Sequence, residues 1–313
     1  MRRPDYKFLI RWAIIVVIFV FLGEMAWKNW IQVREASFTF RIFPLILSSL
    51  ILAFSYFIQV WAWYLITLKL RIAIPFKETL ESWFYSQLGK YLPGKVWLFL
   101  SRFYLYESKG KSKGAVTVAL YFETMTMIMA AGLIFLVSFL FCGEAPSSCH
   151  ETLYPWIILG LILASLSLHP KVLQKILNRI LTFLKRDLIS FSISYSDVLR
   201  ILGVCILSWA FVGLGFSLFV NSAFSVSLSS ILFLTGALAI SSTLGLVALF
   251  APSGLGVREG VLVFLLSSIM PSAVAVILSV LTRLWMTFIE IGLVGMVYLT
   301  NKLNRKKKES EHA

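Results

Sequence analysis

The feature that most constrains this 313-residue chain is a series of apolar stretches, most of them long enough to cross a bilayer as helices. A helix needs about 20 apolar residues to cross the hydrocarbon layer. Hydrophobic residues make up 59% of the chain and charged residues 14%, which leaves too little polar surface for a water-soluble globule. The sequence therefore predicts an all-α, polytopic integral membrane bundle. The predicted spans are Phe8–Trp27, Ile42–Leu68, Ala115–Cys142, the shorter Leu153–Leu168, Val198–Val220, Ser230–Phe250 and Ala273–Thr300.

Two further segments are interrupted by proline and glycine. The first, Phe76–Tyr106, contains Pro93 and Gly94, and the second, Ala251–Gly260, precedes an apolar piece too short for an ordinary span. Irregular backbone at membrane depth must be buried in protein or line a wet cavity, because lipid offers no hydrogen-bond partners. We interpret both segments as broken or re-entrant helices, and interfacial loops are the alternative. The breaking residues of the second segment are Pro252, Gly254, Gly256 and Gly260.

The distribution of Lys and Arg predicts the orientation. Segments 69–114 and 169–200 carry many basic residues, whereas Gly143–Thr152 and Asn221–Ser229 carry none. Since cytoplasmic loops are enriched in Lys and Arg, we expect about eight crossings of the cell membrane, with both termini in the cytoplasm. The loop that contains Lys28, Arg34 and Arg41 is predicted to lie outside and is an exception. We attribute the net charge of +14 to topology signals and contacts with lipid phosphates rather than to nucleic-acid binding.

The domain organisation is predicted to be a single transmembrane domain over residues 1–313, with a basic cytoplasmic tail at 301–313. The two broken segments fall one in each half of the chain, and each precedes a long span with ionisable residues. This pattern is typical of internal repeats in transporters. The sequence therefore leaves open a division into two half-repeats, 1–150 and 151–300. Apolar positions between the basic residues of Lys171–Ser190 predict an amphipathic helix on the inner leaflet or a cytoplasmic linker helix.

Several ionisable residues lie inside predicted spans, where a charge costs on the order of 3 kcal/mol and normally has a partner. Glu123 lies near the middle of its span, and Arg283 and Glu290 share one helical face of the last span. Glu123 and Arg283 form either a structural ion pair or part of a substrate site. Likewise, Arg258 and Glu259 form either a neutral internal pair or a phosphate site with the adjacent glycine backbone.

The two broken motifs carry a family resemblance. The strings GKYLPGKVW, followed by Arg102, and PSGLGVREG, followed by Arg283, resemble the lysylphosphatidylglycerol synthase transmembrane, or flippase-like, family over nearly the whole chain. The resemblance implies a membrane domain that moves lipid between leaflets, or presents it, through a cavity lined by the re-entrant segments. Synthases of that family add a soluble domain that aminoacylates phosphatidylglycerol. Because this sequence ends at Ala313, soon after its last span, we expect no such domain and no synthase activity.

The leading hypothesis is a flippase-like transporter of a phosphate-bearing phospholipid or glycophospholipid, without cofactor or metal. One alternative is an integral-membrane transferase with Glu123 or Glu259 as base, although the sequence contains no motif of soluble-type catalysis. Another is a non-catalytic subunit that recruits a lipid-modifying enzyme or glycosyltransferase through segment 169–200. The predicted substrate-binding residues are Arg258, Glu259, Arg283, Glu290, Glu123, Lys95 and Arg102.

Overall fold

The computed structural model describes residues 40–91, 96–141, 154–169, 193–227, 229–248 and 254–311, together with residues 172 and 179. These residues are largely helical and contain no strand, which confirms the all-α fold class. A short 3-10 turn, Leu88–Tyr91, follows the second helix. The helices are α1 (Ile42–Lys69), α2 (Phe76–Gln87), α3 (Val96–Glu107), α4 (Lys113–Phe141), α5 (Tyr154–Leu168), α6 (Tyr195–Ala223), α7 (Ser230–Val247), α8 (Val257–Leu266) and α9 (Ser272–Glu311).

Five helices, α1, α4, α6, α7 and α9, are long and apolar enough to cross a membrane. They coincide with five of the predicted spans. Helix α5 has 15 residues, or about 22 Å, and the predicted first span, Phe8–Trp27, lies outside the described residues. The total of about eight crossings therefore stays a prediction. Helix α9 continues to Glu311, so the predicted basic tail begins as its extension.

Helices α1 and α6 pack along each other in antiparallel directions. At one end, the backbone N–H of Arg41 donates to the carbonyl of Ser222 at 2.8 Å, and the Arg41 guanidinium donates to the side-chain oxygen of Asn221 at 2.6 Å. At the other end, Lys69 Nζ lies 2.8 Å from Asp197 Oδ1. Arg41, one of the three basic residues that depart from the charge pattern, is thus held by the end of α6, within the segment predicted to lie on the same side of the bundle.

Glycines let the central helices approach closely. A Cβ added to Gly213 of α6 would lie 2.1 Å from Thr235 Oγ1 of α7, and one added to Gly236 of α7 would lie 1.9 Å from Ser138 Oγ of α4. Small residues are favoured between membrane helices because the lipid removes the hydrophobic drive and leaves close packing to hold helices together. Helices α4, α6 and α7 therefore form the close-packed centre of the bundle.

The first predicted break is an antiparallel helical hairpin of α2 and α3. Glu78 pairs with Lys109 at 3.0 Å near the open end of the hairpin, and Ser86 accepts a hydrogen bond from Arg102 nearer the tip. Each helix has 12 residues, or about 18 Å, whereas the hydrocarbon layer is about 30 Å thick. This length fits a hairpin that enters and leaves on one side. Pro93, Gly94 and Lys95 lie outside the described residues.

The second predicted break lies between α7 and α8. Gly254 and Gly256 adopt positive φ angles of 70° and 82°, and α8, with 10 residues, begins immediately after them. A Cβ on Gly254 would lie 2.6 Å from the carbonyl oxygen of Gly245, so the turn packs directly on the end of α7. Pro252 lies outside the described residues. Both segments are thus broken helices, and their re-entry into the membrane stays a prediction.

Candidate functional site

The first cluster of buried charge joins the α2–α3 hairpin to α4. Arg102 of α3 is 1% exposed; its Nη1 donates to Oε2 of Glu123, and its Nε donates to Ser86 Oγ at 2.9 Å. The other carboxylate oxygen of Glu123 accepts from Trp83 Nε1 at 3.1 Å. We call these four residues the first-half site. Both oxygens of Glu123 are engaged, so the ion pair fastens the hairpin to the long helix that follows it.

Aromatic side chains enclose the Arg102 guanidinium. Its Cζ lies 4.4 Å from the ring centroid of Trp63 and 5.7 Å from that of Trp83. Trp63 is itself held in place, because its Nε1 donates to the Tyr106 hydroxyl at 2.8 Å. A desolvated cation–π contact contributes about 2 kcal/mol. Sequence analysis missed Trp63 and Tyr106, although the aromatic character of the hairpin is visible in the sequence.

The second cluster joins α8 to α9. Glu259 is 1% exposed; its Oε2 accepts the backbone N–H of Gly256 at 2.7 Å, and its Oε1 accepts from Arg283 Nη1 at 2.5 Å. The first contact satisfies a backbone donor at the start of α8, as an acidic residue in the first turn often does. Glu259 therefore orders the glycine turn and fastens α8 to α9. We call Gly256, Arg258, Glu259, Arg283 and Glu290 the second-half site.

Two pairings that the sequence left open as alternatives are not formed, and one expectation about the backbone is wrong. Arg283 pairs with Glu259 and Glu123 with Arg102, so the alternative Glu123–Arg283 ion pair is not formed. Arg258 and Glu259 do not form a neutral internal pair either, because successive residues on a helix point about 100° apart. The backbone of Gly256, expected to be free for a ligand, instead donates to Glu259.

Arg258 has a different environment from Arg102 and Arg283. Its Nη2 lies 2.8 Å from Met286 Sδ, and among the described residues it forms no ion pair. The charges of Glu259, Arg283 and Glu290 act on it without reaching ion-pair distance. It lies in the first turn of α8, where the helix dipole is positive and favours anions over cations. An anion beside Arg258 would relieve this unfavourable arrangement.

A tyrosine on α1 links the two sites. Glu290 is 5% exposed, and its Oε1 accepts a hydrogen bond from the Tyr56 hydroxyl at 2.7 Å. The Tyr56 ring lies 6.2 Å from the Trp83 ring, between centroids, and Trp83 donates to Glu123. The two sites are therefore connected through the middle of α1. Sequence analysis missed Tyr56. The feature that could have indicated it is a hydroxyl inside an apolar span.

The structure thus gathers six of the seven predicted substrate residues into two groups rather than one, and the seventh, Lys95, lies outside the described residues. Arg258, Glu259, Arg283 and Glu290 lie in the second-half site, and Arg102 and Glu123 lie in the first. Their assignment to substrate binding stays a prediction.

A comparison with known families bears on the whole chain. The sequence model of the family described as "Lysylphosphatidylglycerol synthase TM region" matches residues 8–295, which include both broken segments and both sites. Comparison with curated proteins finds no match. The family match confirms the resemblance of the two motifs and agrees with the five candidate spans. The chain is therefore a multi-pass membrane protein that belongs to the lysylphosphatidylglycerol synthase transmembrane-region family.

Proposed function

We propose that this protein is flippase-like and moves a phosphate-bearing phospholipid or glycophospholipid between leaflets, or presents it, with the headgroup bound at the second-half site. The observation that carries the proposal is Arg258, a guanidinium at the positive end of α8 with no ion pair in the described part of the chain. Membership of a lipid-related membrane family supports it.

The chemistry around Arg258 favours a phosphate. A guanidinium offers parallel N–H donors that match phosphate oxygens, and removing an uncompensated charge from water costs several kcal/mol. The present contact of Arg258, the thioether of Met286, is a weak acceptor that a phosphate oxygen would readily replace. The charge of Arg283 is already balanced by its ion pair with Glu259. Arg283 therefore contributes to the electrostatic potential at the site and does not provide the main contact with the phosphate.

The surroundings of the site favour a lipid rather than a soluble anion. Helices α8 and α9 carry large apolar side chains on the surface of the bundle. Such a surface suits acyl chains, and a polar interior suits the headgroup, so the two helices together match both parts of a phospholipid. The exposed apolar residues are Phe264 of α8 and Leu284, Phe288 and Ile291 of α9.

We further propose that the basic end of the bundle faces the cytoplasm of the cell and that both termini lie there. Lys69 and Lys109 are held at this end by Asp197 and Glu78, while the Arg41–Asn221 contact marks the opposite end. The excess of basic residues in the connecting segments supports this orientation.

Cysteine labelling in intact cells tests the orientation. In a variant whose native cysteines are replaced by serine, Ser227→Cys should react with an impermeant reagent from outside, and Lys111→Cys only after permeabilisation. Labelling of Lys111→Cys from outside would contradict the proposed orientation.

Reconstitution into vesicles with leaflet-specific labels on several lipid classes tests the proposed function. Wild-type protein should exchange a phosphate-bearing class, and Arg258→Gln should slow that exchange by roughly 10- to 100-fold, the loss expected for a hydrogen bond to a charged group. Arg200→Gln is the matched control, because Arg200 is an exposed arginine of α6. The proposal fails if wild-type protein exchanges no lipid, or if Arg258→Gln exchanges every class at the wild-type rate.

A further inference from the structure

We infer that Ser242 of α7 binds the headgroup phosphate together with Arg258, through a hydrogen bond donated by its hydroxyl group. The inference rests on the proposed function and adds a second binding residue on a different helix. It starts from the hydroxyl oxygen of Ser242, which is buried and has no hydrogen-bond partner among the described residues. A buried hydroxyl without a partner costs free energy, and native proteins rarely contain one.

The neighbours of Ser242 show how a hydroxyl inside a helix is usually satisfied. Ser241 donates to the carbonyl of Leu238 at 3.0 Å, and Thr243 donates to that of Ala239 at 2.9 Å. Such bonds to the preceding turn are a common arrangement for Ser and Thr within a helix. Ser242 forms no such bond although it lies in the same regular helix, so its donor remains available to a ligand.

Helix geometry places Ser242 on the side of α7 that faces both α6 and α8. Thr235, seven residues before Ser242 and thus on nearly the same face, packs on Gly213 of α6. Gly245, three residues after Ser242 and about 60° around the helix, packs on Arg258 of α8. Ser242 therefore points into the angle between α6 and α8, beside the first turn of α8.

The separation of Ser242 and Arg258 suits a single phosphate. A Cβ added to Gly245 would lie 2.9 Å from Arg258 Cβ, and residues three apart on a helix have Cβ atoms about 5–6 Å apart. The Cβ atoms of Ser242 and Arg258 are therefore at most about 9 Å apart. Phosphate oxygens accept from guanidinium and hydroxyl donors alike, so one oxygen can bind each residue.

Two groups on neighbouring helices thus lack partners that one ligand can supply. Arg258 has no ion pair and Ser242 has no acceptor among the described residues. An uncharged lipid hydroxyl or carbonyl would satisfy Ser242 but would leave the charge of Arg258 uncompensated. A phosphate satisfies both, which makes the pair a site for the phosphate of the headgroup rather than for its uncharged part.

Ser267 provides the internal contrast. Its hydroxyl oxygen is likewise buried and without a partner among the described residues, but it lies at the C-terminal end of α8. Nine residues separate it from Arg258, which corresponds to about 13 Å along the helix axis and to the opposite face. Ser267 therefore shares the chemistry of Ser242 but not its position next to Arg258.

The test measures leaflet exchange in vesicles that carry labelled phosphatidylglycerol, phosphatidylethanolamine or phosphatidylcholine. Ser242→Ala should slow the exchange of each lipid that Arg258→Gln slows, by roughly tenfold, the loss expected for a hydrogen bond to a charged group. Ser242→Cys keeps the size of the side chain but donates weakly, so it should slow exchange as well. Ser267→Ala is the matched control and should exchange lipid at the wild-type rate.

Thermal unfolding in detergent gives a second readout, which a purely structural role of Ser242 would reverse. Removing an unsatisfied buried hydroxyl should leave the unfolding temperature equal to or above that of wild type, in Ser242→Ala as in Ser267→Ala. A lower unfolding temperature of Ser242→Ala, together with slower exchange, would show a structural role and overturn the inference.

The exchange rates separate this inference from the proposed function. If Ser242→Ala exchanges lipid at the wild-type rate, or if Ser267→Ala slows exchange as much, the inference is overturned while slow exchange by Arg258→Gln still supports the proposed function. If wild-type protein exchanges none of the three lipids, or if Arg258→Gln exchanges all of them at the wild-type rate, the proposed function fails and this inference fails with it.

Discussion

The first-half and second-half sites share one construction with the charges exchanged. In each, a short helix after a break pairs with the next long helix, Arg102 with Glu123 and Glu259 with Arg283. Even the exposure of their side chains is similar, since the short-helix members are 1% and 2% exposed and the long-helix members 16% and 22%. The two sites differ in the residues next to their ion pairs. Among the described residues, only the second site has a further guanidinium without an ion pair, Arg258. We therefore propose that the first site fastens helices together and that the second binds the ligand.

The largest expected effect follows from breaking the first pair. Arg102→Met should lower the free energy of unfolding in detergent by about 3–5 kcal/mol, because it leaves Glu123 without its cation. Adding Glu123→Met should recover most of that loss, since apolar residues of similar volume can replace a buried ion pair. Denaturant titration of both variants measures the difference. A loss below about 1 kcal/mol for the single variant, the range of exposed pairs, would refute the fastening role.

The glycine turn of the second site should be the next most sensitive element. Gly254→Ala should destabilise the protein by about 2–4 kcal/mol, from a strained positive φ and a collision with the Gly245 carbonyl. Gly260→Ala is the matched control, because a Cβ there meets nothing within 4 Å, and it should be neutral or stabilising by up to about 1 kcal/mol. Thermal unfolding in detergent compares the two. Equal losses would show that the turn does not pack as described.

A smaller loss is expected when the second pair is broken. Arg283→Gln should cost about 1–3 kcal/mol by leaving the buried Glu259 without its cation, with the partial exposure of Arg283 keeping the value low. Glu259→Gln should rescue it, because the amide oxygen still accepts from Gly256. Glu123→Gln should not, since Glu123 belongs to Arg102. Unfolding curves of the two double variants distinguish these outcomes. Rescue of Arg283→Gln by Glu123→Gln but not by Glu259→Gln would contradict the pairing.

The long helices and the two breaks could be predicted from the sequence, and the pairings could not. A chain with apolar runs long enough to span a membrane has few alternatives to forming helices in lipid. Clusters of Pro or Gly interrupt those helices. Hence α1, α4, α6, α7 and α9 appear where expected. By contrast, several opposite charges were available to each ionisable residue, and packing selected the partner on the adjacent helix, 21 residues away for Arg102 and Glu123.

Tyr56 shows why part of the site was out of reach. Its partner, Glu290, is 234 residues away in the sequence, and their contact depends on how α1 lies against α9. No local pattern in α1 indicates that contact. Similarly, the sequence does not indicate which of Arg258 and Arg283 pairs with Glu259. The pairing depends on the direction of the Glu259 side chain, because adjacent residues of α8 face different neighbours.

No loss of stability is expected for Arg258→Gln, because Arg258 takes part in no ion pair among the described residues. Its free energy of unfolding should equal or exceed that of wild type, because the substitution removes a guanidinium whose charge no ion pair compensates. Denaturant titration of Arg258→Gln and Arg102→Met under the same conditions compares their free energies of unfolding. A loss as large as that of Arg102→Met would mean that Arg258 is also a fastening residue.

The account is tested most directly by leaflet exchange of a labelled phosphate-bearing lipid, measured per folded protein for two variants in identical vesicles. One is the Arg102→Met, Glu123→Met double variant of the first-half site, and the other is Arg258→Gln of the second. We predict that the double variant exchanges lipid near the wild-type rate and that Arg258→Gln loses exchange while remaining folded. Loss of exchange in the double variant, with wild-type exchange in Arg258→Gln, would contradict the assignment of fastening to one site and lipid binding to the other.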